Sequence, residues 1–148
     1  MELVIEDLKY EDIEECYNLN KLIFNEAYGL EDVRELYLKI HNNTDTYRFL
    51  VAKLNGKIVG YTSVIMAYNL FDGKTPFMTL WWVGTHPEYR HRGIATKLFE
   101  KIEQIATENN CELIYFTSDE DNEGAHKFYQ KLGYNMHSDK AFVKMLID

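Results

Sequence analysis

A chain of 148 residues that is 46% hydrophobic and 14% aromatic can fill one sizeable core, which excludes a disordered chain and fits a single domain over residues 1–148. Its 24 Asp and Glu against 16 Lys and Arg leave a net charge of −8, which argues against a general nucleic-acid binder and suits cationic substrates. The first ten residues carry acids rather than a basic patch, and nowhere do ~18 apolar residues follow one another, so no membrane contact and a cytoplasmic location are expected.

The elements follow in chain order. Residues 3–8 read as a strand, and two amphipathic helices come next. Ile13, Cys16, Tyr17 and Asn20 share one face, then Val33, Leu36, Tyr37 and Ile40 share another, with Gly29 between the two helices. Asn55-Gly56 separates the strand-like runs 47–54 and 57–68, a two-residue hairpin signal because both turn residues need positive φ. Asp72-Gly73 makes a second turn, so the run 77–85 continues an antiparallel meander until His86-Pro87 ends it. Trp81 and Trp82 are expected on opposite faces of that strand.

A long helix follows. Ile94, Leu98, Ile102 and Ile105 form its apolar stripe, while Lys97, Glu100, Lys101 and Glu108 face water. Residues 111–116 read as a buried strand, and strand, helix, strand at this length implies a crossover into parallel pairing beside 77–85. A last helix over 122–132 presents Ala125, Phe128, Tyr129 and Leu132, Gly133 caps it, and 134–136 and 141–147 are expected as final strands. The fold class is therefore α/β: a mixed, mostly antiparallel sheet with about four helices. Cys16 and Cys111 show no metal-ligand or CxxC spacing and read as reduced buried thiols; the five histidines show no ligand spacing either, so no metal is expected.

The stretch from Arg90 to Ala95 carries the most chemistry. A helix start leaves about four N–H groups unpaired and bears roughly half a positive charge, so it can hold diphosphate oxygens by main chain alone. Gly93 permits close approach, and Arg90, Arg92 and Lys97 add positive charge in an otherwise acidic chain. A glycine at a strand-to-helix turn also has a purely backbone reading.

Read together, R-x-x-G-x-A at Arg90, Gly93 and Ala95, followed by Asn122, Ala125, Phe128-Tyr129 and Leu132-Gly133-Tyr134, resembles the GNAT superfamily of acyl-CoA-dependent N-acetyltransferases. The element order matches too, so the resemblance spans essentially the whole chain. It implies a GNAT-like sheet with a splayed parallel strand pair and acetyl-CoA as co-substrate. His91, Arg92, Gly93, Ile94, Ala95 and Thr96 would hold the pyrophosphate, with Arg90 positioning the turn. The backbone of Val83, Gly84 and Thr85 would meet the pantetheine arm, and Gly84 suits a bulge that offers an oxyanion-type N–H donor. Asn122 maps onto the amide contact to the arm, and Tyr129 onto the tyrosine that protonates the departing thiolate.

These residues carry duller readings beside those. Asn122 also suits a helix N-cap, and Tyr129 beside Phe128 suits core packing. The run Asp119, Glu120, Asp121, Glu123 reads as a solvated loop that favours the following helix start. In relatives that modify protein N-terminal amines the base is a glutamate whose aligned position here is Thr117, so no base is assigned; Glu26, Tyr28 and Glu120 are acceptor-side candidates. Residues 20–43 and 68–77 are expected to form an acceptor cleft in which Tyr28, Tyr37, Tyr68 and Phe71 suit an amine carrying apolar groups. The expected activity is N-acetyl transfer to an amine through a ternary complex. The alternatives are a non-catalytic CoA-binding module and an acyltransferase using another acyl group. Exposed strand edges leave room for a homodimer.

Overall fold

The computed structural model describes residues 2–25 and 29–147. By its contacts the chain divides into two units, Met1–Tyr115 and Phe116–Asp148. The first holds a five-stranded sheet in the order β1-β2-β3-β4-β5: β1 (Leu3–Asp7), β2 (Tyr47–Leu54), β3 (Lys57–Ala67), β4 (Phe77–Thr85) and β5 (Ile114–Tyr115). The first four strands pair antiparallel, and β5 joins β4 in parallel. Asn55 and Gly56 turn β2 into β3 with φ of +50° and +87°, as a two-residue loop that matches strand twist requires.

Helix α1 (Ile13–Phe24) lays Ile13, Cys16 and Leu19 on the sheet, where Cys16 and Leu19 cluster with Val51 and Ile58. α1 is anchored by polar contacts as well, since the Ile58 N–H donates to Glu15 Oε2 at 2.8 Å. α2 (Leu30–Ile40) turns Val33, Tyr37 and Ile40 inward, and the Tyr37 hydroxyl donates to the Leu8 carbonyl at 3.0 Å. Leu36, expected on that face, is instead exposed, because it lies a residue outside the stripe that Val33, Tyr37 and Ile40 define. α3 (Ile94–Glu108) buries Ile94, Leu98, Ile102 and Ile105 completely, together with Phe99. Each such side chain contributes about 1.5–3 kcal/mol, so this stripe fixes α3, and with it the turn before α3, on the sheet.

Three expectations change. The strand expected over 111–116 shrinks to two residues, because Asn110 takes φ of +56° and the Cys111 N–H turns back to the Ala106 carbonyl, prolonging the helix end. Cys111 is accordingly only half-buried, and both cysteines are free. The bulge expected at Gly84 lies at Trp82 instead. The register passes from Thr62↔Val83 to Ser63↔Trp81, leaving Trp82 unpaired with φ of +71°.

In the second unit, α4 (Glu123–Lys131) starts at Asn122 and ends at Gly133, which takes φ of +97°. Residues 134–136 and 141–147, expected as strands, are irregular: their apolar residues suit strands, but no ladder partner meets them among the described residues, and a strand needs one to satisfy its backbone. Phe142 stands 97% exposed. No described helix is long and apolar enough to cross a membrane.

Candidate active site

β4 and β5 share only the pairs Met78↔Ile114 and Thr79↔Tyr115, so over residues 80–85 β4 has a strand neighbour on the β3 side alone. The splayed strand pair expected from the resemblance is present in this form. The bulge falls inside the one-sided stretch. Trp81 is 68% exposed, whereas the Trp82 ring stacks on Phe24 at the end of α1, with centroids 4.7 Å apart and planes at 25°. A left-handed conformation costs a non-glycine residue roughly 1–2 kcal/mol, so something must hold it, and the Phe24 ring is the contact that does.

Gly84 serves a different end. A Cβ there would lie 2.7 Å from Ile23 Cγ2 and 2.9 Å from Phe24 Cζ, so its lack of a side chain lets α1 press on β4 beside the bulge. Val83 and Thr85 flank it, paired with Thr62 and Gly60 of β3.

After β4 the chain passes through a single 3-10 turn, Pro87–Tyr89, whose start is capped by His86 Nδ1 accepting from the Glu88 N–H at 3.1 Å. Arg90 closes this turn in extended conformation. His91 and Gly93 then take φ of +64° and +79°, which folds residues 90–93 tightly against the start of α3. No side chain caps α3, its first turn has no acid, and the first backbone bond runs from the Lys97 N–H to the Gly93 carbonyl at 3.1 Å. The N–H groups of Ile94, Ala95 and Thr96 thus have no acceptor within the helix. A Cβ at Gly93 would meet no atom within 4 Å apart from its chain neighbours, so the space at that position is open. Arg90, His91 and Arg92 are exposed around it, while Lys97 pairs with Glu100 at 3.3 Å. This is an anion cradle of backbone dipoles with a cationic rim.

Residues 13–134 match the model of the Acetyltransferase (GNAT) family. The chain belongs to that family. This GNAT domain is 35% identical over 106 residues to an acetyltransferase of Pectobacterium atrosepticum, an alignment covering 72% of the chain and 70% of that protein. Among solved structures it is similar to AAC(6')-Iy in complex with the bisubstrate analog CoA-S-monomethyl-acetylneamine, with TM-score 0.81, 17% identity and 99% and 100% coverage. It is also similar to a transcriptional regulator from Bacillus halodurans, with TM-score 0.82, 22% identity and 97% and 100% coverage. At such identities the shared property is the fold. The domain is an acetyltransferase of a family whose acyl donor is acetyl-CoA.

Within the second unit of the GNAT domain, Asn122 caps α4, its Oδ1 accepting from the Ala125 N–H at 3.1 Å. The duller reading of Asn122 therefore holds for its oxygen, and its amide hydrogens remain donors. Tyr129 is half-buried against Phe116, 4.8 Å away at 76°, and Phe128, 5.6 Å away. Burial pushes its phenol up, so it is protonated throughout neutral pH. The loop acids Asp119, Glu120, Asp121 and Glu123 are exposed, as is Thr117. Glu26 and Tyr28 lie outside the described residues. Of the expected acceptor-loop residues, Phe71 is 92% exposed and Tyr68 half so.

The sequence did not reveal the bulge at Trp82 or its contact with Phe24, nor the approach of Lys57 to Tyr89. The pair Trp81-Trp82 hides a bulge because nothing in an aromatic doublet tells a bulge from ordinary alternation.

Proposed function

We propose that the protein transfers an acetyl group from acetyl-CoA to a primary amine by direct attack, without a covalent enzyme intermediate. The observation that carries this reading is the start of α3: uncapped, free of acids, reached through two left-handed residues and set directly after the one-sided half of β4. The backbone from His91 to Thr96 holds the pyrophosphate, with Arg90 shaping the turn and Arg92 at the rim. The backbone of Val83, Gly84 and Thr85, on the side away from β3, meets the amide-rich pantetheine arm, and Asn122 adds an amide donor. Bound acetyl-CoA supplies an activated thioester. The chain's own part is to offer a peptide N–H at the Trp82 bulge to the thioester oxygen, and to donate a proton from Tyr129 Oη to the leaving sulfur. Such N–H donors contribute roughly 3 kcal/mol where they have been removed elsewhere.

An amine of pKa about 10.4 is free base in only about one molecule in a few thousand at pH 7. Thr117 has no carboxylate to help, so proton removal falls to water or to an acid near the acceptor. We infer a cytoplasmic location, which suits two free thiols.

Calorimetric titration with acetyl-CoA tests the donor site. Binding near the micromolar range, about −8 kcal/mol, is expected, and it should vanish in a folded Gly93→Glu protein through crowding and charge. A folded wild type that binds no acetyl-CoA overturns the proposal. For the proton donor, Tyr129→Phe should lower kcat by about a hundredfold at unchanged acetyl-CoA affinity; undiminished kcat removes Tyr129 from the chemistry.

A further inference from the structure

We propose that Lys57 and Tyr89, together with the Arg92 side chain at the rim of the cradle, form a seat for the phosphomonoester on the 3′ oxygen of the coenzyme A ribose, adjoining the pyrophosphate cradle at the start of α3. The inference rests on the acetyl-CoA reading above and adds a second phosphate site to it. Lys57 opens β3 just after the Asn55-Gly56 turn, and Tyr89 ends the short turn that follows β4. Antiparallel pairing of β3 with β4, which sets Gly60 opposite Thr85, brings these distant segments to one end of the sheet.

There the Tyr89 ring gathers cations. Lys57 Nζ lies 5.1 Å from the ring centroid and 3.5 Å from the hydroxyl, the Arg92 guanidinium lies 5.0 Å from the centroid, and His86 meets the ring edge-on at 5.1 Å. Two like charges drawn to one ring repel each other, and among the described residues neither forms an ion pair, even with Glu88 in the same turn. Arg34, Arg48, Lys53 and Lys97 each take a carboxylate, and Lys21 lies singly over the Tyr17 ring at 5.6 Å, so among the described residues only Tyr89 gathers two cations. In a chain with 24 acids and 16 bases, two cations gathered at one aromatic ring without a carboxylate are disposed for an anion from outside.

The chemistry of the anion follows from the donors. A phosphomonoester has a second pKa near 6 and is close to doubly charged at neutral pH, unlike a diphosphate bridge, which bears about one charge per phosphorus. The Lys57 ammonium offers a point charge, Arg92 a planar fork and Tyr89 a hydroxyl. Backbone N–H groups serve the pyrophosphate, so side chains from another segment are left for the terminal group.

The test compares acetyl-CoA with 3′-dephospho-acetyl-CoA by calorimetry in the wild type and in Lys57→Gln. Lys57 is exposed at a hairpin end, and thermal unfolding checks that the variant folds. The wild type should bind acetyl-CoA about fivefold to tenfold more tightly than the dephospho compound. Lys57→Gln should narrow that gap by weakening acetyl-CoA alone, and added salt should narrow it in the wild type. A wild type that binds both compounds equally overturns the inference, as does a gap that survives Lys57→Gln or a variant that weakens both compounds alike. A wild type that binds neither overturns the acetyl-CoA reading itself.

Discussion

Two regions of the first unit use left-handed backbone, and they use it to different ends. At the β2–β3 hairpin it falls on Asn55 and Gly56, residue types that adopt positive φ at little cost, and it closes a ladder: the Asn55 side chain also accepts from the Glu2 N–H at 3.0 Å. In and after β4 it falls on Trp82, where it shifts the register with β3, and on His91 and Gly93, where it leads the chain into α3. The hairpin is locally self-consistent, whereas the β4 conformation is imposed by packing, through Phe24 on Trp82 and through the buried stripe of α3 behind Gly93. Imposed strain at a cradle of unpaired donors is where function is expected to concentrate.

Four measurements test the difference between the two regions. Trp82→Gly is expected to have the largest effect: glycine keeps positive φ freely but loses the Phe24 stack, so kcat should fall by about ten- to a hundredfold while acetyl-CoA affinity holds. Full turnover in this variant shows that the backbone needs no aromatic support. Gly84→Val should come next, because its Cβ would collide with Ile23 and Phe24; overpacking costs about 1–3 kcal/mol, read as a lower urea midpoint. At the hairpin, Asn55→Ala should cost about 1 kcal/mol without changing kcat, and a loss of turnover there erases the distinction between the regions.

The smallest effect is a slow loss of stability in alkali. Burial pushes the Cys16 thiol from its ordinary 9.0 up to about 12, against the lowering by its hydrogen bond with Asn20, and burial raises Tyr61 as well. The folded protein holds these protons more tightly than the unfolded chain. Their stabilisation is complete below pH 9 and declines as pH rises from 9 towards 12. A urea midpoint that stays level across that range would place Cys16 outside the core.

Local chemistry made much of this legible. Asn55-Gly56, the four-four-three spacing from Ile94 to Ile105 and Gly93 before it each carry their conformation in residue type and period. What escaped reading depends on tertiary contact. Trp82 bulges because of a ring on another element, and Lys57 meets Tyr89 only because β3 and β4 run antiparallel. Residues 141–147 show the converse: a strand-like composition fixes no strand without a neighbour to pair with. Asn122 was open between two roles because capping and ligand binding ask for the same amide.

The bulge has one more consequence, for solubility. Along residues 80–85 the side of β4 away from β3 has no strand neighbour among the described residues, the kind of border to which a stray strand from another molecule can attach, and the exposed Trp81 would reward the attachment. Trp82 bends that border and increases its local twist, so a straight incoming strand cannot follow it for more than a residue or two. The irregularity proposed to offer a peptide N–H to the thioester also keeps the sheet from growing.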